Sequence, residues 1–434
     1  RTPVRLPTFL DALSGDALVE LQRLITNLLE SGAELLPLET LQGLRLWSER
    51  VHYHVRNMRD ELDILFSWLL PLQKAPPLLE NAAKDTPIGK AWQAIRAALP
   101  PTPQLGQIPD ICREGREQVA RVLDLLPSTE DTDSEEVRDA REWCQTLMDD
   151  LDQSRQRSQS LLVGIQNLAN QAEAMVDRMD FGFLFDGHRQ VFYLGYRVDT
   201  EKLDTNHYDL LASEARTASL IAIAKGEVPQ SHWLHLTRPI TKMAGQRALL
   251  SWNGSMFEYL MPDLFLRSYE GTLLAQTNRA VVERQIAYGH EEEVPWGVSE
   301  SGYYRFDAAM NYQYQGFGVP GVGRKRGLGD DLVISPYASL LATKVAPQAV
   351  LENVNVLRSL GMMGQYGFYE SVDYTRARLP LGRDYAVVKS YMVHHQGMIL
   401  LALTNVLCDD AHTARFHADR RIENTGTLAA FRAE

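Results

Sequence analysis

Apolar residues at positions 41, 44, 47, 51, 55, 58, 62, 65 and 69 alternate steps of three and four. That spacing keeps one helix face apolar and predicts a long amphipathic helix, stopped by Pro71. A second long helix begins near Asp133, whose carboxylate caps it with Glu136 three residues on. Its stripe runs through Val137, Ala140, Cys144, Leu147 and Leu151 and resumes at Leu161, Ile165, Leu168, Ala172 and Met175. Shorter helices are predicted at about 15–31, 86–99 and 110–126, divided by Pro76-Pro77 and by Pro100-Pro101-Thr102-Pro103.

After Met179 the period changes. Residues 181–197 (FGFLFDGHRQVFYLGYR) set aromatics around Asp186-Gly187 and predict a β-hairpin. Helices are predicted again near 208–225, 255–267, 271–288, 335–345, 347–359, 386–406 and 409–417. Twelve helices with little strand and no internal repeat favour an all-α (α/α)6 barrel over a solenoid. The expectation is one domain over 1–434 with a small β-hairpin and long rim loops forming a cleft. Residues 1–178 would be its helical scaffold half and 179–434 its catalytic half.

Composition sharpens this division. Of 17 tyrosines 16, and of 29 glycines 22, follow Arg178. The second half therefore holds the aromatic, Gly-rich loops on which function usually sits. A net charge of −12 offers no basic face to a nucleic-acid backbone or to anionic lipid. Cys112, Cys144 and Cys408 are widely spaced and read as buried, reduced thiols. No apolar run reaches the roughly 18 residues of a membrane span, and no signal peptide is visible. The opening Arg1 reads as the start of a piece of something longer.

Four acidic sites stand out. Glu300, in the loop VPWGVSESGYY, sits among Ser, Gly and aromatics, where partial desolvation raises a carboxyl toward a working pKa. A solvated loop glutamate is the plainer alternative. In NHYDLLASEAR, Asn206 is expected to cap a helix with Asp209 at its third position, leaving Glu214 in the second turn. Glu214 and Arg216 fit a structural ion pair as well as they fit catalysis. Glu258, between Phe257 and Tyr259, fits a sugar-hydroxyl contact or a helix-start charge equally. Glu370 and Asp373 lie among Tyr366, Tyr369 and Tyr374. Carboxylates and flat rings on separate loops suit carbohydrate, and glycoside chemistry needs one carboxylic acid and one carboxylate across the scissile bond.

Other motifs carry less. Gly316, Gly318 and Gly321 satisfy GxGxxG, but Pro320 interrupts it and no strand–helix context surrounds it. Arg324-Lys325-Arg326 reads as loop ion pairing with Asp330-Asp331. His394 and His395 point roughly 100° apart on a helix and cannot share one metal. No metal, nucleotide or other cofactor is expected.

Taken together, NHYDLLASEAR, LLSWNGSMFEYLMP, RQIAYG with PWGVSES, YQYQGFGVPGVGRKRGLGDDLVISPYAS, GFYESVDYTRARLP and SYMVHHQGMILLAL resemble a known family. It is the glycoamylase-like cyclisation domain of bacterial cyclic β-1,2-glucan synthases. The resemblance covers about 180–434 and implies an (α/α)6 barrel acting on linear β-1,2-glucan. It implies glycosyltransferase and phosphorylase-like modules elsewhere on a parent chain, at the cytoplasmic face of the inner membrane. It carries the catalytic pair onto Glu214 and Glu300, with Glu300 as nucleophile and Glu214 as acid/base in a retaining transglycosylation. Trp252, Glu258, Trp296, Tyr303, Tyr312, Arg324, Tyr369, Glu370 and His395 are then expected to line subsites. The rivals are an endo-β-1,2-glucanase of the same fold and a non-catalytic glucan-binding module.

Overall fold

The computed structural model describes residues 38–101, 103–127, 134–212, 214–243 and 245–424, with 23–24 and 26–27. Most of the helix expected at 15–31, and the Asp133 cap, lie outside these residues. The chain forms two compact units, Arg1–Val176 and Asp177–Glu434. It is helix-rich, with small antiparallel sheets.

The first unit is helical. Helix α1 (Leu38–Leu65) ends well before Pro71. The Ser67 hydroxyl donates to the Asp150 carbonyl at 2.9 Å and Trp68 is buried, so tertiary contacts turn the chain there. Pro71 falls instead in the first turn of α2 (Leu69–Gln73), where no intrahelical N–H is needed. Helices α3 (Pro77–Glu80), α4 (Pro87–Ala98, capped by Thr86), α5 (Ile108–Leu125) and α6 (Glu135–Arg178) follow. Their core joins Trp68, Trp92, Ile95, Ile108, Val119, Leu147 and Leu151. Cys112 and Cys144 lie in it as free thiols, pushed up to about 12 by burial. Cys408, expected buried, is exposed. The apolar stripe of α6 is buried only as far as Leu151; Leu161, Ile165, Leu168 and Met175 are exposed.

The second unit opens with the expected hairpin, β1 (Phe185–Asp186) against β2 (Val191–Phe192). A second one pairs β3 (Tyr196–Arg197) with β4 (Lys202–Leu203). The helix expected over 208–225 is shorter, α7 (Ala215–Ala224). The backbone before it pairs away, with Leu194 N–H donating to Asn206, Tyr208 N–H to Phe192 and Leu210 N–H to Thr237. Asn206 therefore caps nothing, Asp209 accepts from Leu211 N–H, and Glu214 sits at the N-cap of α7 rather than in a second turn. The short α8 (Ser231–His235) leads to a hairpin of β5 (Ile240–Met243) and β6 (Gln246–Leu249). Helix α9 (Met256–Leu260) gives way at Pro262 to a 3-10 turn, and α10 (Leu273–Glu291) follows as expected.

Strands that the periodicity did not predict then dominate the working loops. β7 (Ser301–Phe306) pairs with β8 (Tyr312–Gln315), and β9 (Val333–Ile334) joins a sheet of order β13–β12–β9. Helices α11 (Pro336–Leu341) and α12 (Pro347–Ser359) precede a small hairpin, β10 (Met363–Gly364) with β11 (Gly367–Phe368). β12 (Ser371–Asp373) and β13 (Ala386–Val388) complete the three-stranded sheet. The helix expected over 386–406 is thus split into β13 and α13 (Val393–Leu407). Helices α14 (Ala411–His417) and α15 (Arg420–Asn424) end the described chain. The core beneath gathers Trp233, Tyr259, Tyr288, Trp296, Tyr303, Val319, Ile334, Tyr337 and Val372.

Two devices hold the loops in place. The first explains the GxGxxG match without a nucleotide. Gly323 bridges Ser251, Val319 N–H donates to Gly254, and a Cβ on Gly318 would lie 1.7 Å from the Asn253 carbonyl oxygen. Gly318 and, beyond the motif, Gly323 let two backbones touch. The second anchors α7. Buried Arg216 donates to the carbonyls of Glu258 and Tyr259 at 2.9 and 2.7 Å and stands 3.6 Å from Asp263. The plain reading of Arg216, structural pairing, is the one realised.

Gly318→Ala is expected to cost about 1–3 kcal/mol, the range for forced overpacking, and to lower the melting temperature of the full chain. An unchanged melt would contradict the close approach. Asp263 supplies a second test. Burial pushes its carboxyl from 3.8 up to about 6, against the pull of Arg216, Lys344 and Asn278. The folded state then holds this proton over a range where the unfolded chain has released it, so stability falls as pH rises from about 4 to about 6. Melting curves across that range should show the slope flattened in Asp263→Asn relative to the parent chain.

Candidate active site

Glu300 ends the segment that runs into β7, held by its neighbours rather than by its own side chain. Tyr337 on α11 donates its hydroxyl to the Glu300 carbonyl at 2.9 Å and lies 2.8 Å from the Ser299 hydroxyl. Ser299 in turn accepts from Phe257 N–H at 3.1 Å. Gln285 on α10 brackets Val298, accepting from its N–H at 2.8 Å and donating to its carbonyl at 2.9 Å. The Glu300 side chain is half-buried, which raises its pKa. The charges of Glu258 and Glu214 raise it further; His395 and a hydrogen bond from the Tyr314 hydroxyl lower it. Glu214 is exposed, and its field also reaches Tyr208. Residues from five of the six motifs meet in the electrostatic surroundings of this one carboxylate, and the sixth, through Glu370, holds His395.

Glu370 and Glu258 have different employment. Glu370 is 2% exposed. Its carboxylate accepts Gly302 N–H at 3.0 Å and His395 Nδ1–H at 2.9 Å. Its backbone is tied as well, the carbonyl accepting from Ser335 at 2.7 Å and the N–H donating to Ser390 at 3.0 Å. Gly302 is needed here because a Cβ would stand 3.2 Å from Glu370 Cγ. His395, 1% exposed, stacks on Tyr337 with ring centroids 3.7 Å apart at 14°. Its Nε2 lies 3.4 Å from the Tyr314 hydroxyl. Glu258 closes the capping box of α9 with Ser255 and also accepts from Ser251 at 2.9 Å and Asn253 N–H at 3.0 Å. Burial raises its pKa against the donors of Asn253, Ser255 and Ser251.

The expected subsite residues divide in the same way. Glu258, Trp296, Tyr303, Glu370 and His395 are buried in the protein framework. Trp296 is bracketed by Asn353, which accepts from its N–H at 3.0 Å and donates to its carbonyl at 2.8 Å. Tyr303 donates to Gln313 at 2.8 Å beneath the Arg378 guanidinium. Trp252 and Arg324 are exposed, with the guanidinium 5.9 Å from the indole and 4.0 Å from Asp209. Tyr312, packed on Phe306, and Tyr369, packed on Tyr391, keep part of their surface open. Arg324 therefore pairs with Asp209 rather than with Asp330-Asp331, and Asp331 pairs with Arg378. Asp373 receives Arg378 at 2.9 Å and Tyr304 N–H at 3.0 Å, a wholly structural use.

Tyr314 and Tyr337 were not among the residues that the sequence singled out. The Tyr-Gln-Tyr-Gln alternation at 312–315 is a strand signal that sets positions 312 and 314 on one face, and Tyr314 pairs with Gly302. Tyr337 follows Pro336 and gives no such cue. Among the described residues no group of three or more His, Cys, Asp or Glu is arranged to hold a metal ion. A cavity of about 300 Å³ lined by Asp263, Asn278, Arg279, Lys344 and Asn405 includes neither Glu214 nor Glu300.

Residues 206–418 match the glycoamylase family, described as putative glucoamylase. Over 256 residues, 59% of the chain, the sequence is 47% identical to the cyclic beta-(1,2)-glucan synthase NdvB of Rhizobium meliloti (strain 1021). The matched stretch spans only 9% of that relative's length. All six motifs, from Asn206 to Leu403, fall inside residues 206–418, the segment that matches the glycoamylase family.

Proposed function

We propose that this chain is a transglycosylase that closes linear β-1,2-glucan into a ring by a retaining mechanism. The observation that carries the reading is the pairing of a half-buried Glu300 with an exposed Glu214 whose charge it feels, within a family segment akin to a glucan synthase. The Glu300 carboxylate attacks the anomeric carbon as the glycosidic C–O bond breaks. Glu214 gives its proton to the departing oxygen, and a glycosyl-enzyme results. Glu214 then takes the proton of the 2-hydroxyl at the chain's own non-reducing end. That oxygen attacks the anomeric carbon, closes the ring and frees Glu300. Holding the two ends together supplies the effective concentration that lets a hydroxyl outcompete water.

On this reading the open residues Trp252, Tyr312, Arg324 and Tyr369 contact sugar, and the buried Glu258, Trp296, Tyr303, Glu370 and His395 support them from behind. The same reading assigns the helices to an (α/α)6 barrel with rim loops forming the cleft. Residues 1–178 would be the scaffold half and 179–434 the catalytic half; the family match over 206–418 supports the catalytic part alone. The partners are glycosyltransferase and phosphorylase-like modules of a longer synthase at the cytoplasmic face of the bacterial inner membrane. Among the described residues no helix is long and apolar enough to cross a membrane.

Incubation with linear β-1,2-glucan, digestion by an exo-acting β-glucosidase and mass analysis is expected to leave resistant products lighter by one water than linear chains of equal length. Complete digestion to glucose after chain shortening would make the enzyme an endo-β-1,2-glucanase; untouched glucan would leave only binding. Glu214→Gln is expected to lose about 10²–10⁴-fold in rate, the share of general acid–base catalysis. Azide separates the roles. With an activated aryl β-glucoside donor, Glu300→Ala should release the α-glycosyl azide and Glu214→Ala the β-azide. The opposite pattern would exchange the two glutamates.

A further inference from the structure

A group of tyrosines is built onto the two segments that carry the Glu370–His395 pair. Tyr369 precedes Glu370 and Tyr391 follows Ser390, and the Glu370 N–H joins the two segments by donating to the Ser390 carbonyl at 3.0 Å. The rings of Tyr369 and Tyr391 lie 5.2 Å apart at 38°. Tyr366, in the β10–β11 turn, meets Tyr391 edge-on at 5.4 Å and 82°. The turn is seated on these rings. Tyr366 N–H donates to the Tyr391 hydroxyl at 3.4 Å, and a Cβ on Gly364 would collide with that hydroxyl and stand 2.5 Å from the Tyr369 ring. Only glycine lets β10 lie this close to both. Gln396, the residue after His395, donates to the Phe368 carbonyl at 3.0 Å and pins β11 to α13. Within this framework Tyr366 is 53% exposed, and Tyr391 keeps part of its surface open.

Resting on the reading of linear β-1,2-glucan as substrate, we infer that Tyr366, with Tyr391 and Tyr369 behind it, is a sugar platform for units of the chain that are not reacting. A glucosyl ring carries C–H bonds on its faces and hydroxyls around its edge. A tyrosine matches it with an apolar face and a polar tip, and two rings near a right angle offer a wall as well as a floor. The place fits the chemistry. Glu370 holds His395, His395 stacks on Tyr337, and the Tyr337 hydroxyl holds the Glu300 carbonyl at 2.9 Å. The platform is therefore fixed relative to the Glu300 backbone without belonging to the catalytic pair. Ring closure needs such a hold. The two ends that join are separated by a stretch of chain, and fixing part of that stretch in advance removes loop-closure entropy from the step. Hydrolysis has no such requirement, since water needs no second chain end. The platform thus favours rings over shorter linear products, and long chains over short ones.

The test measures binding to the full chain carrying Glu300→Gln, which prevents turnover, with a long linear β-1,2-glucan and a short oligosaccharide of the same linkage as probes. Adding Tyr366→Ala removes an exposed ring, so folding is expected to survive, and a melting curve checks it. The long chain should bind about 3- to 10-fold more weakly, the share of one aromatic contact, while the short probe binds as before. With Glu300 restored, Tyr366→Ala should also lower the ratio of rings to linear products. An unchanged affinity for the long chain would overturn the inference. So would an equal loss for both probes, which would make Tyr366 a structural side chain. Failure of the substrate reading looks different. Glu300→Gln alone would then bind no long glucan, and the inference would fall with it; if it binds that chain and Tyr366→Ala changes nothing, only the platform fails.

Discussion

Glu370 and His395 tie β7, α11 and α13 together. Their hydrogen bond of 2.9 Å is sealed from solvent, with both residues at most 2% exposed. One carboxylate joins the start of β7 through Gly302 to the first turn of α13 through His395, and the stacked Tyr337 brings in α11. Stripping one partner from a buried pair of this kind leaves the other's polar atoms unmatched, at a cost of about 3–5 kcal/mol. Such a contact tolerates little movement. The glutamate that precedes β7 inherits its rigidity without contributing to it, and that is how a half-buried carboxylate stays oriented in a loop region.

A second carboxylate does the same on the opposite side of the motif set. Glu258 gathers Ser251, Asn253 and Ser255 and shapes the turn on which Trp252 stands exposed. Gly318 and Gly323 then bring their backbone onto that turn, at distances where a Cβ would collide. Acidic residues that look alike in sequence are therefore sorted by how many protein donors reach them. Glu258, Glu370 and Asp373 have their acceptor oxygens engaged by the protein itself. Glu214 is exposed and Glu300 only half-buried, so these two remain open to a ligand. The physical sorting leaves open the two glutamates on which the proposed reaction rests.

Much of the helical part was legible from periodicity alone. Helices α4, α5, α10 and α12 fall within a few residues of their expected limits, because an amphipathic stripe and a cap are local signals. Apart from the β1–β2 hairpin flagged by Asp186-Gly187, strands of two to six residues were not legible, since a period of two needs more repeats than they contain. Where helices were drawn too long, at 208–214 and 386–392, the backbone hydrogen bonds go to another segment, or the chain enters a sheet. No local pattern records such a partner.

The sequence by itself determined the inventory: two helix-forming registers in the first half, a second half rich in tyrosine and glycine, and motifs that carry Glu214 and Glu300. It did so because helix stripes, turn residues and family motifs are written in neighbouring positions. Only the tertiary structure decided what each acidic residue is for. Whether a glutamate's oxygens are taken up by the protein or left open depends on donors from other segments: Gly302 and His395 reaching Glu370, and Asn253 and Ser251 reaching Glu258. Those are distances in space, and a one-dimensional pattern has no term for them.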